Sequence, residues 1–291
     1  MPVINPDLKD ASSALYKQDS VIVEVDCFDM EQIMDSGQCF RIYREKDAYR
    51  ATASDKTILI RDISSQNEKQ KRYEFMCSQK EYDEFWCHYF DLDTDYRAYE
   101  NAIDNNDTYL KSAFEFGSGI RILNQDPWEM LITFIISQRK NIPAIRQAVE
   151  VLSLKCGTCI DTDKEIYAFP TPQQLAELSL EDLQSMSLGY RAKYVYEAAQ
   201  KTAAGKLKPY EWGSFSDDEL HKELLSCYGV GEKVANCTAL FGCHRIGAFP
   251  VDVWIERIQK TYYNGHFPAE KYSGFAGVMQ QYMFYYERKR Q

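Results

Sequence analysis

The sequence is short of positive charge and has no long apolar run, and each shortage excludes a class of protein. Its 291 residues carry 34 Lys and Arg against 44 Asp and Glu, for a formal net charge of −10. Because phosphate neutralisation dominates nucleic-acid affinity, this balance argues against a protein that coats nucleic acid. No stretch approaches the roughly 18 apolar residues of a membrane-spanning helix, and the N-terminus lacks a signal-peptide pattern. We therefore expect a soluble, intracellular, cytoplasmic protein with no membrane partner.

Cysteine is present, but the spacings that would make it a metal site or a disulfide framework are missing. The nine cysteines of a chain expected to be intracellular are predicted to remain reduced. Cys156 and Cys159 form a close pair, yet no second Cys or His pair follows at the spacing of a zinc ribbon. No cysteine follows Cys243. We therefore assign no metal.

The net acidity is confined to the first part of the chain. Residues 1–110 contain 13 basic and 23 acidic side chains, whereas residues 111–291 contain 21 of each. A neutral second part can still bind an anionic partner through a local basic face. Its candidate cations are Arg139, Lys140, Arg191, Lys193, Lys233 and Arg245. We expect binding through this face to have modest affinity and to weaken strongly as the salt concentration rises.

Local patterns in the first part of the chain predict a small antiparallel sheet. Alternating polarity and β-branched residues favour strands there. The predicted strands lie at residues 21–25, 40–43, 49–53 and 57–60, with a short helix near 30–34. A capping box at Ser78 opens a helix that runs to Phe90, and the acidic residues 91–95 are expected to be a linker or loop.

Helical signals dominate beyond residue 95. Asp126 followed by Pro127 caps a segment that is apolar on every side, which predicts a buried helix. The length allows two domains or one large one. We predict an α+β fold with a small N-terminal antiparallel sheet domain, residues 1–110, followed by a larger helical domain, residues 111–291.

The strongest local signal is a Gly-x-Gly turn followed by a lysine. Gly229 and Gly231 separate two helical segments, and Lys233 lies at the start of the second. This pattern predicts a helix-hairpin-helix at about residues 217–242, a unit that points backbone N–H groups and a positive helix end at a DNA phosphate. Asp252 lies downstream at a helix N-cap position. Taken alone, the motif also fits a surface turn with a solvated lysine and a purely structural aspartate.

The segment from Gly229 to Trp254 as a whole resembles the lysine-dependent helix-hairpin-helix DNA glycosylases, most of all the 8-oxoguanine DNA glycosylases. The resemblance implies that Lys233 attacks C1′ of the damaged nucleotide and that Asp252 supports the lysine and the developing sugar cation. An amine must be neutral to attack, and desolvation or a positive helix end favours the neutral form. Asp252, held ionised by its cap hydrogen bonds, would stabilise that cation.

Three further segments, in the family's order, extend the resemblance over nearly the whole chain. Residues 35–41 match a Ser-Gly-Gln-x-Phe-Arg motif, in which the Gly37 carbonyl is implied to accept the N7–H that 8-oxoguanine has and guanine lacks. Residues 188–194 supply Tyr190, the implied wedge in the base stack. The adjacent Arg191 is the implied donor to the estranged cytosine.

The third segment, residues 274–284, resembles the family's C-terminal helix. Gln280 is implied to read the Watson–Crick edge and Phe284 to stack on the flipped base, and their four-residue spacing places them on one helical face. Cys237 matches the cysteine that forms the other wall of the base pocket. Each segment, taken alone, also fits an ordinary turn or core packing.

Three positions depart from the pattern of the family's eukaryotic members. Arg139 stands where the first asparagine of an Asn-Asn-Asn run holds the estranged cytosine, and Ala144 stands where an arginine is usual. Trp254 replaces a phosphate-binding histidine, although its indole N–H can donate one hydrogen bond. We therefore expect looser discrimination of the opposite base, as in bacterial-type members.

These observations predict a bifunctional base-excision repair enzyme that removes 8-oxoguanine and then cleaves the abasic site as a lyase. Its expected partner is double-stranded DNA containing 8-oxoguanine, and we expect a monomer, nucleoid-associated in a bacterium. No cofactor is implied, and the cysteine pattern excludes an iron–sulfur loop of the endonuclease III type. The resemblance allows a structural cation on the carbonyls of Leu225, Cys227 and Val230.

Two alternatives remain at the level of sequence. A monofunctional alkylbase glycosylase would use Asp252 with water and would lack the lysine, so Lys233 argues against it. A non-catalytic helix-hairpin-helix module that only binds DNA would need neither Lys233 nor Gly37.

Overall fold

An antiparallel sheet of five strands forms the N-terminal part of the fold. The structure, a computed structural model, describes residues 19–65 and 71–290. The strands are β1 (Val21–Val25), β2 (Ile42–Glu45), β3 (Ala48–Ala53), β4 (Lys56–Asp62) and β5 (Lys71–Phe75). They lie in the order β1-β5-β4-β3-β2, and every neighbouring pair is antiparallel.

The four predicted strands are present, and their ends differ from the prediction by at most two residues. The strand predicted to start at Phe40 begins only at Ile42, because the Phe40 ring packs into the core of the helical part instead. β5 lies outside the predicted strands. Its polar start hides an alternation in which Tyr73 and Phe75 are buried beneath the sheet.

Helices account for most of the remaining structure. The first, α1 (Met30–Asp35), lies between β1 and β2, as predicted. The others are α2 (Gln79–Glu81), α3 (Cys87–Tyr89), α4 (Arg97–Asn101), α5 (Thr108–Gly117), α6 (Pro127–Ser137), α7 (Ile142–Cys156), α8 (Pro172–Ala176), α9 (Leu180–Ser185), α10 (Arg191–Ala203), α11 (Asp217–Leu225), α12 (Glu232–Gly242), α13 (Val253–Tyr262) and α14 (Ala276–Lys289). A small ribbon, β6 (Cys159–Asp161) and β7 (Ile166–Tyr167), follows α7. No helix in residues 19–65 and 71–290 is long and apolar enough to span a membrane.

The helix predicted from Ser78 to Phe90 is present as a single segment with an irregular centre. The Ser78 side chain accepts a hydrogen bond from the Glu81 amide, which caps its start. A π-helical turn, Tyr82–Trp86, joins α2 to α3. Trp86 is buried on this turn and donates from its indole to Glu81. This aromatic segment covers the sheet and closes the first core.

Helix α6 is the centre of the helical part. Asp126 caps it by accepting from the Glu129 amide, and Pro127 occupies its first turn. Every residue from Trp128 to Ser137 is buried, because α7, α10 and α12 pack around it. The prediction that this apolar segment forms a buried helix is confirmed, and the helix also buries the polar residues Glu129, Thr133 and Ser137. Its last turn reaches the region where the Gly-x-Gly hairpin lies, so α6 links the core to the candidate site.

Two buried clusters meet at the boundary between sheet and helices, and Arg121 lies between them. Arg121 is only 1% exposed, and its guanidinium donates to four backbone carbonyls. These belong to Asp26, Cys27, Asp91 and Thr94. The acidic segment 91–95 is therefore a fixed turn rather than a free linker.

The division into residues 1–110 and 111–291 stays a prediction. The first core consists of residues from the sheet and from the helical segment that follows it, but it also includes Leu123. The second core begins at Tyr96 and includes Phe40 from the sheet part. The first core thus includes Leu123 from beyond the proposed boundary, and the second includes Phe40, Tyr96, Ile103 and Leu110 from before it, so the cores do not divide at residue 110.

We expect Arg121→Met to lower the free energy of unfolding by about 3 kcal/mol, because it leaves one buried and three partly buried carbonyls without this donor. Urea denaturation measures the loss. The matched control is Arg44→Met, since Arg44 is 58% exposed, forms an ion pair with exposed Glu31 and lies over the Tyr49 ring at 5.6 Å from its centroid. That variant should change stability by no more than about 0.5 kcal/mol. Equal losses in the two variants would contradict the assignment of Arg121 as the link.

Candidate active site

The candidate site is a pocket where the turn after α1 meets the helices of the second part of the chain. It lies between α6, α12, the start of α13, α14 and the turn that follows α1. Its lining residues are Gly37, Phe134, Lys233, Cys237, Phe241, Pro250, Asp252, Gln280, Gln281 and Phe284. The structure thus brings together all six residues that the sequence proposed for the lesion pocket and the chemistry, although they are up to 247 positions apart in the chain.

Lys233 is presented to the pocket by the second helix of the hairpin. It occupies the second position of α12, whose N-cap is Gly231. Its Nζ lies 5.1 Å from the centroid of the Phe134 ring, and that ring stacks on Phe241. A half-buried amine over an aromatic wall is shielded from bulk water on one side. Phe134 and Phe241 were missed by sequence reasoning, since nothing distinguishes them from other apolar core residues.

Cys237 lies one helical turn after Lys233, on the same face of α12. Burial raises the pKa of its thiol, against the opposing effect of the Lys233 charge. The thiol therefore stays protonated and presents a soft, neutral surface to the pocket. The position fits the wall that the family resemblance implies.

Asp252 is the N-cap of α13. One carboxylate oxygen, Oδ1, accepts from the Trp254 and Ile255 amides, both at 3.0 Å. Burial raises the pKa of this carboxyl, against the lowering effect of the two cap bonds and of the Lys233 charge. The cap bonds expected from the sequence are present. The expectation that they hold the group ionised is opposed by burial, which favours the neutral acid.

The turn at Gly37 is held from both sides. Gly37 has φ of +81°, and a Cβ there would lie 3.1 Å from Cε1 of Phe284, so a side chain would meet both strain and crowding. The Ser36 carbonyl accepts from Gln281 at 2.6 Å, and the Gln38 carbonyl accepts from Gln125 at 2.9 Å. The Gly37 carbonyl, which lies between these two, accepts no hydrogen bond from any donor in residues 19–65 and 71–290. That oxygen is therefore available to a ligand.

Gln280 and Phe284 face the pocket from α14. Gln280 is 4% exposed, and its Oε1 has no hydrogen-bond partner within the described residues. Buried polar atoms are nearly always paired, so an unpaired acceptor in a pocket marks a place where a donor binds. Phe284 packs its ring edge near Gly37. The four-residue spacing read from the sequence correctly predicted a shared face.

The proposed wedge lies on a second surface, outside the pocket. Tyr190 is 49% exposed and precedes α10. The Arg191 guanidinium lies 4.4 Å from the centroid of the Tyr190 ring, but it is buried and donates to the Gln138 carbonyl. Arg139 is exposed and has φ of +55°, a left-handed conformation that asparagine adopts more readily than arginine. Ala144, in the first turn of α7, offers no polar side chain.

The hairpin has the predicted form. α11 and α12 together span residues 217–242, as predicted, and Gly229 between them has φ of +83°. A Cβ at Gly229 would lie 2.4 Å from the Tyr194 ring, so only glycine fits. The carbonyl of Cys227 accepts from the Val230 amide at 3.1 Å. Nothing in the described residues tests the cation predicted on these carbonyls.

Trp254, in the first turn of α13, is half-buried, and the Arg257 guanidinium lies 5.2 Å from its ring centroid. Arg257 brings positive charge to the end of α13 that carries Asp252, because helical side chains lean toward the N-terminus. Sequence reasoning missed this residue. Its three-residue spacing from Trp254 was the available signal.

No group of three or more His, Cys, Asp or Glu that could hold a metal occurs in the part of the chain that the structure describes. The close pair Cys156 and Cys159 lies at the end of α7 and the start of β6, and neither residue lines the pocket. Both are free thiols.

Comparison with known proteins agrees with this geometry. Residues 20–131 match the N-terminal domain of 8-oxoguanine DNA glycosylase, and residues 132–272 match the HhH-GPD superfamily of base excision DNA repair proteins. The N-glycosylase/DNA lyase of Saccharomyces cerevisiae is 32% identical over 260 residues, covering 80% of this chain and 68% of the relative. A probable N-glycosylase/DNA lyase of Methanothermobacter thermautotrophicus is 30% identical over 230 residues, covering 69% of this chain and 73% of the relative.

A solved structure extends the likeness over the whole fold. The 8-oxoguanine glycosylase/lyase of Clostridium acetobutylicum, in complex with double-stranded DNA containing cytosine opposite 8-oxoguanine, is 35% identical with a TM-score of 0.86. The match covers 94% of this chain and 97% of that one. The predicted α+β architecture is confirmed, and the chain belongs to the 8-oxoguanine DNA glycosylase family of helix-hairpin-helix base-excision repair proteins.

Proposed function

We propose that this chain is a bifunctional DNA glycosylase and lyase that removes 8-oxoguanine from double-stranded DNA. One observation carries the proposal: Lys233 and Asp252 share a pocket with the buried Oε1 of Gln280, which has no hydrogen-bond partner in residues 19–65 and 71–290. An amine, a carboxylate and a waiting acceptor suit substitution at a sugar whose base is recognised through its hydrogen-bond donors.

The flipped base is recognised by acceptors and by two packing surfaces. 8-Oxoguanine has an N7–H donor where guanine has an acceptor, and we assign the Gly37 carbonyl to that donor. Gln280 accepts through Oε1 from the donors of the Watson–Crick edge. Phe284 and Cys237 cover the two faces of the base. Guanine would leave the Gly37 carbonyl facing a second acceptor, which disfavours it.

Lys233 carries out the substitution. Its neutral amine attacks C1′ while the C1′–N9 bond breaks, and the bonding electrons leave with the base, which takes up a proton. Asp252 stabilises the positive charge that develops on the sugar. The bound amine then loses a proton. Opening of the sugar ring, with protonation of O4′, leaves a protonated Schiff base between Lys233 and C1′.

The Schiff base makes strand cleavage possible. It acidifies the protons on C2′, and removal of one of them breaks the C3′–O bond and expels the 3′ phosphate. Hydrolysis of the imine then releases Lys233. These steps need only an amine, a carboxylate and water, so the mechanism requires no cofactor. A structural cation on the hairpin carbonyls stays a prediction.

The DNA is held by a surface next to the pocket. Tyr190 would enter the base stack where the lesion leaves it, and Arg191 would face the estranged base. The turn at Gly229 and Gly231 would bind a phosphate through its backbone N–H groups, with Trp254 at the neighbouring backbone. One chain supplies the pocket, the wedge and the hairpin, so we propose that a monomer acts, located wherever the cell keeps its DNA.

We expect Lys233→Gln to abolish covalent trapping on a duplex that contains one 8-oxoguanine when sodium borohydride is present, since only an imine is reduced to a stable adduct. The matched control is Lys260→Gln, which removes an exposed lysine of α13 that pairs with Glu256. It should trap as the wild type does. Release of free base by the wild type with no trapped band would point instead to attack by water with Asp252.

We expect Asp252→Asn to lower the single-turnover rate of base release by about 100- to 1,000-fold, because the developing cation loses its counter-charge. Its stability at pH 7 should equal or exceed that of the wild type. Asparagine caps a helix as well as aspartate does, and the neutral amide avoids the cost of burying a charge. Urea denaturation would contradict this if the variant lost more than about 1 kcal/mol.

The stability difference between Asp252→Asn and the wild type should depend on pH. Because burial raises the folded-state pKa of Asp252, the wild type pays for ionisation as pH rises through that value. Below the unfolded pKa of about 3.9 the carboxyl is protonated in both states, so the difference should shrink there. A difference that grows as pH falls would contradict the cited direction.

We expect Arg139→Asn to increase the preference for cytosine opposite the lesion. A fitted base-edge contact contributes about 1–3 kcal/mol of discrimination, and the exposed Arg139 lacks that fit. Single-turnover rates with each of the four opposite bases measure the preference. A wild type that favours cytosine by more than about a hundredfold over every other partner would show that Arg139 already provides full discrimination.

A further inference from the structure

Gln138 touches two segments that lie far from it in the sequence and that both face the DNA surface. It follows the last residue of α6, in the turn that contains Arg139. Its side-chain amide donates to the Gly229 carbonyl in the hairpin at 3.0 Å. Its backbone carbonyl accepts from Nε of Arg191 at 2.8 Å and also from Nη2 of the same residue.

We propose that Gln138 is a positioning residue that holds the wedge, Tyr190, and the hairpin turn at Gly229 in one fixed arrangement, so that both can contact the same DNA duplex at once. The inference rests on the proposed function, because it assigns Tyr190 to the base stack and the turn at Gly229 to the phosphate backbone. Gln138 does not line the lesion pocket. Its contribution therefore lies in docking the duplex rather than in the chemical step.

The backbone at Gln138 explains how it serves both sides. It is the C-cap of α6, with φ of −53° and ψ of 121°, and so it leaves the helical conformation. Its carbonyl therefore points out of the helical hydrogen-bond ladder and is available to Arg191. Its side chain points to Gly229 at the same time. The carbonyl of a residue in helical conformation at this position would point along the helix axis and would not be directed at Arg191.

The Arg191 guanidinium is fixed by these contacts. Two of its nitrogens share the Gln138 carbonyl, and Nη1 donates to the Leu188 carbonyl at 3.3 Å. Its plane also lies against the exposed ring of Tyr190, at 4.4 Å from the centroid. Arg191 is only 7% exposed, so it has little freedom to turn. Holding Arg191 therefore also holds the ring of Tyr190.

An aromatic contact supports the same two segments without fixing their direction. The Tyr194 ring lies edge-on to Tyr190, with centroids 5.6 Å apart, and to Tyr228 at 5.1 Å. It also lies directly beneath Gly229. Ring packing tolerates small rotations, whereas the hydrogen bond to the Gly229 carbonyl sets the orientation of that peptide. Gln138 thus supplies the directional part of the link.

The test is Gln138→Leu, which removes the amide donor and keeps the backbone carbonyl that Arg191 needs. The matched control is Gln200→Leu, because Gln200 makes an equivalent bond from its side-chain amide to the Ala176 carbonyl, at 2.8 Å. That bond joins α10 to α8, away from the pocket and the hairpin turn. Near-isosteric Gln138→Glu is the second variant, since a carboxylate cannot donate to the Gly229 carbonyl.

We expect the enzyme concentration for half-maximal single-turnover excision to rise about five- to tenfold in Gln138→Leu. A change of this size corresponds to losing one hydrogen bond and leaving its acceptor, the Gly229 carbonyl, unpaired. The saturating rate should stay within about twofold of the wild type. Gln138→Glu should bind more weakly still, because it adds a negative charge near phosphate. Gln200→Leu should leave both quantities unchanged.

Binding without chemistry separates this inference from the proposed function. Fluorescence anisotropy with a duplex containing a tetrahydrofuran abasic analogue should show the same loss of affinity for the Gln138 variants. An unchanged affinity, with a melting temperature lowered as in Gln200→Leu, would overturn the positioning role and leave a structural one. A fall in the saturating rate alone would overturn it too. Failure of the wild type to excise 8-oxoguanine would refute the proposed function. The anisotropy measurement would still test the positioning role of Gln138, because it requires no excision.

Discussion

The attachment of the C-terminal helix to the turn after α1 is the constraint on which the pocket depends. Gln281 donates to the Ser36 carbonyl, Arg288 donates to the Asp35 carbonyl, and Lys289 pairs with the Asp35 carboxylate. These bonds set Gly37 against α14, so close that a Cβ at position 37 would lie 3.1 Å from the Phe284 ring. The acceptor proposed for N7–H comes from the sheet part and the one for the Watson–Crick edge from the last helix. Base recognition therefore requires both the turn after α1 and helix α14 to be in place.

The chemistry depends on the ionised carboxylate of Asp252, a form that burial in the fold destabilises. Asp252 caps α13 and faces Lys233, but burial raises its pKa and makes the ionised form costly. The cap bonds and the lysine charge offset part of that cost. Burying the carboxylate lowers the stability of the fold. It also strengthens catalysis, since a carboxylate shielded from water acts more strongly on a nearby sugar cation. Lys233 shares this setting, against the Phe134 ring and beside the Cys237 thiol.

Sequence reasoning succeeded where a local pattern decides the structure. The cap and proline at the start of α6, the Gly-x-Gly turn before Lys233 and the spacing of Gln280 and Phe284 are all short-range signals. It failed where long-range contacts decide. β5 exists because β1 and β4 pair with it, and the burial of Arg191 depends on a carbonyl more than fifty residues away. Gln138 gave no signal, since its two partners become neighbours only in the folded chain.

The central claim is that Lys233, and no other amine, forms the bond to C1′. The most direct measurement is mass-spectrometric mapping of the borohydride-reduced complex after digestion of protein and DNA. The account predicts that the sugar remnant lies on the peptide spanning Glu232 to Cys237, with the mass added to the side chain of Lys233. A remnant on any other lysine, or on the N-terminal amine, would contradict it and would leave the pocket described here without its nucleophile.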